Sequence, residues 1–473
     1  MRKFWCMYIK QLYTSCLSEA AYYIESEGEA AIIDPLRDIE EYILLAKERQ
    51  ATIRYIFETH FHADFVSGHI DLSKATGAPI VYGPNTETNF AIHSANDGEV
   101  FKIGKLQLEV LHTPGHTLEC TCYVLKDEQG NDHAIFTGDT LFVGDVGRPD
   151  LSSGNMTSKE LAGLLYDSLQ SKVMPLAGNV IVYPAHGPGS SCGKSLGSET
   201  FSTIEEQKQT NYALQPQTKE AFIKAVTEGL QDPPTYFPIN ARINREGYES
   251  IEEVLEKALT PLSIQAFKEK LEQDVIAVDT RPSTVFVQGF VPGSLSIGLE
   301  GRFAEWAGNL LPFNKPIVLV TGPGQEKESV IRLSRVGLSK IEGFLEGGYE
   351  AWTAAGENID MIIEVESDEL AMDIPFDPNL VVVDVRKEVE YADGHVKGAL
   401  NIPLANLVDP GSLANIEETD NLYVHCASGY RSVIAISLMK REGFHNIRNV
   451  IGGWAKIKEE QGIETEKDVT VLN

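Results

Sequence analysis

The C-terminal half of this sequence is written twice. Asp279-x-Arg281 returns as Asp384-x-Arg386, Gly289-x-Val291-x-Gly293-x-Leu295-x-Ile297 as Gly394-x-Val396-x-Gly398-x-Leu400-x-Ile402, and Gly347-Gly348 as Gly452-Gly453. Every pair is offset by 105 residues (279 to 384, 289 to 394, 347 to 452). Chance does not hold one register across three separated motifs, so this half reads as two copies of one α/β domain. Each copy opens with a buried strand, "DVIAVDTR" or "LVVVDVR", and later has another, "PIVLVTG" or "NLYVHC", that runs into a loop and a helix. The copies meet in an acidic stretch near residues 360 to 370.

Residues 1 to about 245 show a different alternation. Short β-rich runs ("AAIID", "IRYIFETH", "APIVYG", "LQLEVLH", "HAIFTGD", "NVIVYPAHG") interleave with helical stretches such as "SKELAGLLYDSLQ". The segment "LQDPPTYFPINARINREG" carries Pro233, Pro234 and Pro238, which excludes a long helix and marks the end of this domain. A chain of 473 residues is too long for one core. The expected architecture is therefore α/β throughout, with domains at 1–245, 246–360 and 361–473.

The formal net charge of −29 argues against nucleic-acid or anionic-membrane partners, which need a Lys/Arg excess. No apolar run approaches the ~20 residues of a membrane span. The apolar run before Lys10 is too short for a secretory signal. The cysteines are Cys6, Cys16, Cys120, Cys122, Cys192 and Cys426, without framework spacing, which implies free thiols in a reducing, cytoplasmic compartment. Cys120 and Cys122 alternate along "ECTCYVL" and read as small buried residues on one strand face, not as metal ligands.

Two constellations carry chemistry. The first is an ordered set of four motifs: "THFHAD" with His60, His62 and Asp64, "HTPGHT" with His116, "FTGDT" with Asp139, and "YPAHG" with His186. These residues fall just after strands, where loops leave a sheet edge. Imidazole and carboxylate donors together suit zinc or iron. The second is "LYVHCASGYRSVIAISLMK": a buried strand, Cys426, four residues, Arg431 and an apolar-periodic helix. Loop amides, the helix N-terminus and Arg431 would favour a thiolate there and cradle an anionic terminal sulfur. The first copy has Thr321 in place of Cys426, in an acidic loop with Glu326 and Glu328, so it cannot carry a persulfide.

The four ordered motifs resemble the metallo-β-lactamase superfamily, which implies an αββα sandwich over residues 1–245. The hydrolases of that superfamily usually continue "HxHxD" with another histidine for a second metal, and here that place is Phe65. With "GRPD" added, the set most resembles the persulfide dioxygenases. That resemblance implies one Fe(II) per chain, held by His60, His116 and Asp139, with open positions for a sulfur ligand and dioxygen. His62, Asp64 and His186 become supporting groups or a vestigial second site. Arg148 would attract the anionic end of a substrate, or pair with Asp150. Cys192 in "GPGSSCGKSLG", near Lys194, would accept sulfur beside the metal, or serve as a small loop residue.

The Cys426 segment resembles the rhodanese sulfurtransferases, with Cys426 and Arg431 as the catalytic pair. The first copy then reads as a catalytically silent rhodanese-like domain. The domain order resembles multidomain persulfide dioxygenase–sulfurtransferase fusions. It implies oxidation of a low-molecular-weight thiol persulfide by dioxygen to sulfite, and sulfur transfer to sulfite giving thiosulfate, in a homo-oligomer that detoxifies hydrogen sulfide. The competing reading is a zinc-dependent thioester hydrolase of the glyoxalase II type with accessory rhodanese domains. A non-catalytic sulfur-binding scaffold is a third.

Overall fold

A computed structural model describes residues 7–151, 156–230 and 232–468; Cys6 lies outside them. The chain divides into two compact units, Met1–Glu253 with Ile331–Leu338, and Val254–Val330 with Ser339–Asn473.

The first unit is built on two six-stranded sheets. One runs in the order Tyr8–Thr14, Glu19–Ser26, Glu29–Ile33, Thr52–Phe57, Ile80–Tyr82, His93–Ser94. The other runs Ser202–Thr203, Ile181–Pro184, Asp132–Gly138, Thr121–Lys126, Leu106–His112, Val100–Ile103. Tyr22, Phe57, Tyr123 and Phe136 are buried together between them. Each such ring removed from water stabilises the fold by about 1.5–3 kcal/mol. The helix Glu40–Arg49 puts Tyr42 and Ala46 on the outer face of the first sheet. The helix Ser158–Ser168, closed by a capping box between Thr157 and Glu160, puts Leu161, Ala162 and Leu165 in the interior, the last two on the outer face of the second sheet. The result is an αββα sandwich, as the motifs implied.

The proline-rich segment does not stay irregular. It forms the ten-residue helix Phe237–Glu246, with Pro238 in its first turn, where the missing N–H is not needed. From this helix Asn244 donates to the carbonyls of His62 and Phe65, both at 2.8 Å, and accepts from Ser67 N at 2.9 Å. Tyr248 donates to Ser67 O, and Asp71 accepts from Ile251 N at 3.1 Å. These bonds tie residues 244–251 to the first unit, which runs to Glu253.

The second unit confirms the repeat strand by strand. Its two five-stranded sheets share one order: Pro261–Leu262, Ile341–Leu345, Ile317–Val320, Ile276–Asp279, Leu295–Ser296, and Ile363–Val365, Ile447–Val450, Asn421–His425, Leu380–Asp384, Leu400–Asn401. All pairings within both are parallel. The repeated Asp-x-Arg has one structural role in each. Arg281 grips Asp279 and donates to Gly289 O at 3.0 Å; Arg386 grips Asp384 and donates to Gly394 O at 2.7 Å.

Candidate metal centre and cysteine loop

His60, His116 and Asp139 come together in the first unit, each buried at the end of a strand or in the loop beyond it. A hydrogen-bond chain sets both imidazoles. Asp34 accepts from Thr59 N and Thr59 Oγ1, at 2.8 and 2.9 Å. The Thr59 hydroxyl has spent its proton on Asp34, so it accepts from His60 Nδ1 at 3.0 Å. His116 Nδ1 donates to the Arg148 carbonyl at 2.7 Å. Each ring therefore keeps its lone pair on Nε2, and these nitrogens lie 3.7 and 3.5 Å from Asp139 Oδ2. That oxygen is buried and has no hydrogen-bond partner. Two imidazole Nε2 atoms and a carboxylate oxygen thus aim at one point, which is what a divalent metal with open positions requires. Gly147 is needed to close the site: a Cβ there would lie 2.1 Å from Asp139 O and 3.0 Å from the His116 ring.

The electrostatics agree. Burial pushes the Asp139 carboxyl up, but His186 and His60 outweigh it and hold the group well below the usual carboxylate range. Burial, aided by His62, holds His60 well below its ordinary value, so it stays an unprotonated donor.

His62, Asp64 and His186 form a neighbouring group, and His186 is fully committed. Its Nδ1 lies 2.7 Å from Asp139 Oδ1 and its Nε2 lies 2.8 Å from Asp64 Oδ2. Burial works against its charged form, yet the two carboxylates win and raise its pKa well above the ordinary value. An imidazolium with both N–H groups donated has no lone pair for a metal. His62 Nε2 lies 3.1 Å from Asp34 Oδ1 and 3.7 Å from Glu58 Oε2. Phe65, fully buried, stacks on His62 at 4.3 Å between ring centroids. Phe65→His should raise the amount of zinc bound per chain under excess zinc, the cation displacing the Nε2 proton of His186 and taking Asp64, His186 and the new imidazole as ligands. Metal analysis of the dialysed variant checks this, and unchanged stoichiometry would remove the vestigial-site account.

Arg148 and Cys192 each had two readings. The Arg148 guanidinium holds Asp150 through two 2.7 Å bonds, the pairing that was the alternative to substrate attraction, while its carbonyl fixes His116. Cys192 is buried beside Asp139 and His186. Burial first, then Asp64 and Asp139, push its thiol well up, and Lys194 turns away to Ala225 O at 2.7 Å. Cys120 and Cys122 are buried thiols bonded to Thr117 and Thr113. Sequence reading passed over Asp34, Glu58 and Asn244. Asp34 and Glu58 had a signal: like Asp139, each follows a strand directly.

Behind the site, His69 is enclosed by Phe90, Tyr248 and Tyr82, and burial with nearby His62 lowers its pKa to about 3. Its unfolded value is about 6.5. The unfolded chain therefore binds a proton that the folded chain refuses, between the two values. Stability should fall as pH drops below about 6.5, by up to ~1.4 kcal/mol per unit from this residue. Denaturant titrations at several pH values should show a shallower fall for His69→Asn; equal slopes would contradict it.

In the second unit, Cys426 is buried at the end of Asn421–His425, before the helix Tyr430–Arg441. Gly429 N donates to Cys426 Sγ at 3.1 Å, with Gly429 at φ +108°. Trp454 N holds Cys426 O at 2.7 Å, so the Gly-Gly-Trp segment fastens the loop. Arg431 is not a bare cation: Glu390 takes both of its Nη groups, at 2.6 and 2.7 Å. The first copy differs at each of these points. Thr321 is buried in the cysteine position, and the residue 105 before Arg431 is Glu326. Its carboxylate accepts from Gly324 N at 3.3 Å, so the amide that meets sulfur in the second copy meets the loop's own carboxylate here.

Comparison with known proteins follows this division. The family description "Metallo-beta-lactamase superfamily" matches residues 15–190, and "Rhodanese-like domain" matches residues 263–355 and 367–460. The mitochondrial persulfide dioxygenase ETHE1 of Homo sapiens is 33% identical over 199 residues, 41% of this chain and 70% of the relative. A probable hydroxyacylglutathione hydrolase of Schizosaccharomyces pombe is 32% identical over 188 residues, 38% of this chain and 69% of the relative. A solved metallo-β-lactamase of Staphylococcus aureus subsp. aureus COL is 31% identical with a TM-score of 0.64, covering 72% of this chain and 99% of its own. Among the described residues no helix is long and apolar enough to cross a membrane. Two sheets with a buried His/Asp centre, followed by two copies of one parallel-sheet domain, the second with a cysteine loop, place the chain in the metallo-β-lactamase superfamily, extended by two rhodanese-like domains.

Proposed function

We infer that the chain is a persulfide dioxygenase joined to a sulfurtransferase: a low-molecular-weight thiol persulfide, dioxygen and water give sulfite and free thiol, and a second persulfide supplies the sulfur that turns sulfite into thiosulfate. The domains are then 1–245, the dioxygenase; 246–360, the silent rhodanese-like copy; and 361–473, the active one. The observation that carries the reading is His186. Both its nitrogens are engaged by Asp64 and Asp139, which supports reading the three-donor face of His60, His116 and Asp139 as a single-metal centre.

Iron(II) held there would supply the redox chemistry between a terminal sulfur and dioxygen. The chain's own residues do the rest. Thr59 and the Arg148 carbonyl present the two Nε2 lone pairs. His186 orients Asp139 and keeps a proton next to the site. In the second unit Cys426 attacks the sulfane sulfur of a persulfide and passes it to sulfite, with Gly429 N–H aimed at the sulfur. The free thiols, five among the described residues, suit a reducing cytoplasm.

The competing reading, a zinc thioester hydrolase, draws on the hydrolase relative of equal similarity. Metal analysis of chain purified without added metal, with oxygen uptake measured over a panel of thiol persulfides, separates the two. Iron with persulfide-dependent oxygen uptake supports the dioxygenase; zinc with thioester hydrolysis alone overturns it.

A further inference from the structure

The helix Tyr430–Arg441 begins where the Cys426 loop ends, and it is buried on nearly every side: Ser432 through Ser437 and Met439 are all interior. A helix apolar and buried all round needs cover on two faces. Its own sheet is one. The other comes from the first copy, where the helix packs on Ser283–Phe286 and Leu295–Ser296. Polar contacts mark that face at helical spacing. Ser437 Oγ accepts from Ser296 N at 3.1 Å, and Lys440 Nζ bonds Asp360 at 2.8 Å, next to where Asp360 pairs with Phe290. Tyr430, on the same face, donates its hydroxyl to Gly298 O at 3.4 Å. Its ring lies against Gly301, whose Cβ position is 3.8 Å away.

The first copy holds this seat rigidly. Ile297 N and Leu299 N bond Asp279 O and Thr280 O, at 3.0 and 3.1 Å, so the segment before Gly301 is tied to the Asp-x-Arg motif. A Cβ on Gly298 would come within 2.9 Å of Arg281 O. The motif is intact in a copy whose own loop lacks a thiol.

We propose that the first rhodanese-like copy is part of the sulfur-transfer site: through Gly298 and Gly301 it seats Tyr430, a positioning residue that fixes the Cys426–Arg431 loop. Tyr430 stands between Gly429, whose N–H meets Cys426 Sγ, and Arg431, which Glu390 holds. Fixing the Tyr430 ring fixes both neighbours. Burial, then Glu300 and Glu305 of the first copy, push the Tyr430 phenol up to about 12, so it remains a donor to Gly298 O. The inference rests on Cys426 as the sulfur-carrying thiol.

The test uses the full chain with Tyr430→Phe and Tyr430→Ala. Thiosulfate-to-cyanide sulfur transfer gives kcat and KM, and the pH profile of iodoacetamide alkylation at Cys426, followed on its peptide by mass spectrometry, reports the loop around the sulfur. Tyr430→Ala should lower kcat about tenfold with a smaller change in KM, and raise the alkylation midpoint, because the Gly429 amide is no longer aimed at sulfur. Tyr430→Phe should shift both in the same direction by less. A merely structural tyrosine would lower the melting temperature and leave the midpoint where it was; that outcome overturns the proposal. If Tyr430→Ala fails to fold, parent-like kcat and midpoint in Tyr430→Phe overturn it instead. A parent chain without sulfur transfer overturns the reading of Cys426, while the alkylation profile still decides the seat.

Discussion

Cys426→Ser should leave a chain that consumes dioxygen with a thiol persulfide and accumulates sulfite, where the parent makes thiosulfate. The donors His60, His116 and Asp139 lie in the first unit and Cys426 in the second, so the substitution leaves the metal donors untouched. Serine cannot replace the thiol: its hydroxyl is a poor nucleophile at neutral pH, and an oxygen cannot enter sulfur–sulfur exchange. The Gly429 amide, now facing sulfur at 3.1 Å, would face a hydroxyl that carries no sulfane sulfur. Thiosulfate formation should fall to the uncatalysed background. Chromatography of the products after oxygen-limited turnover checks it. Undiminished thiosulfate would remove Cys426 from the reaction and turn attention to Cys192, the buried thiol beside Asp139 and His186.

Asp139→Asn should cost the first unit its metal and its oxygen uptake together. Asp139 is the one carboxylate of the three-donor face, and its Oδ2 is the unpartnered oxygen opposite both Nε2 atoms. The amide also loses the charge that, with Asp64, keeps His186 protonated, so the carboxylate–imidazole–carboxylate chain loosens at the same time. Weaker changes, to groups that only support a ligand, cost about 10–100-fold in metal affinity or activity, so loss of the anionic donor itself should exceed about 100-fold. Metal analysis after dialysis and an oxygen electrode read the two effects. A variant that keeps iron and takes up oxygen at the parent rate would show that the metal is held elsewhere.

By itself the sequence determined the α/β class, the duplication and the residues that could bear chemistry. The reason is that these signals are local. A 105-residue register, alternating apolar runs, and histidines or a cysteine directly after a strand are all legible along the chain. Phe65 was legible too, as an apolar residue where a ligand would stand. What the tertiary structure alone decided is how those residues are held, because the partners come from far away in sequence. Asn244, in a segment read as a proline-rich boundary, fastens the His62 carbonyl across 182 residues. Glu390 takes the charge of Arg431 from 41 residues upstream, and Gly298 receives the Tyr430 hydroxyl across 132. Nothing in spacing or composition announces a pairing across such distances; it exists only once two elements share a buried face, where each polar group must find a partner. The same holds for His186. As a letter after a strand it was one more candidate ligand, and only the 2.7 and 2.8 Å contacts to Asp139 and Asp64 make it a bridge between two carboxylates beside the His60, His116 and Asp139 face.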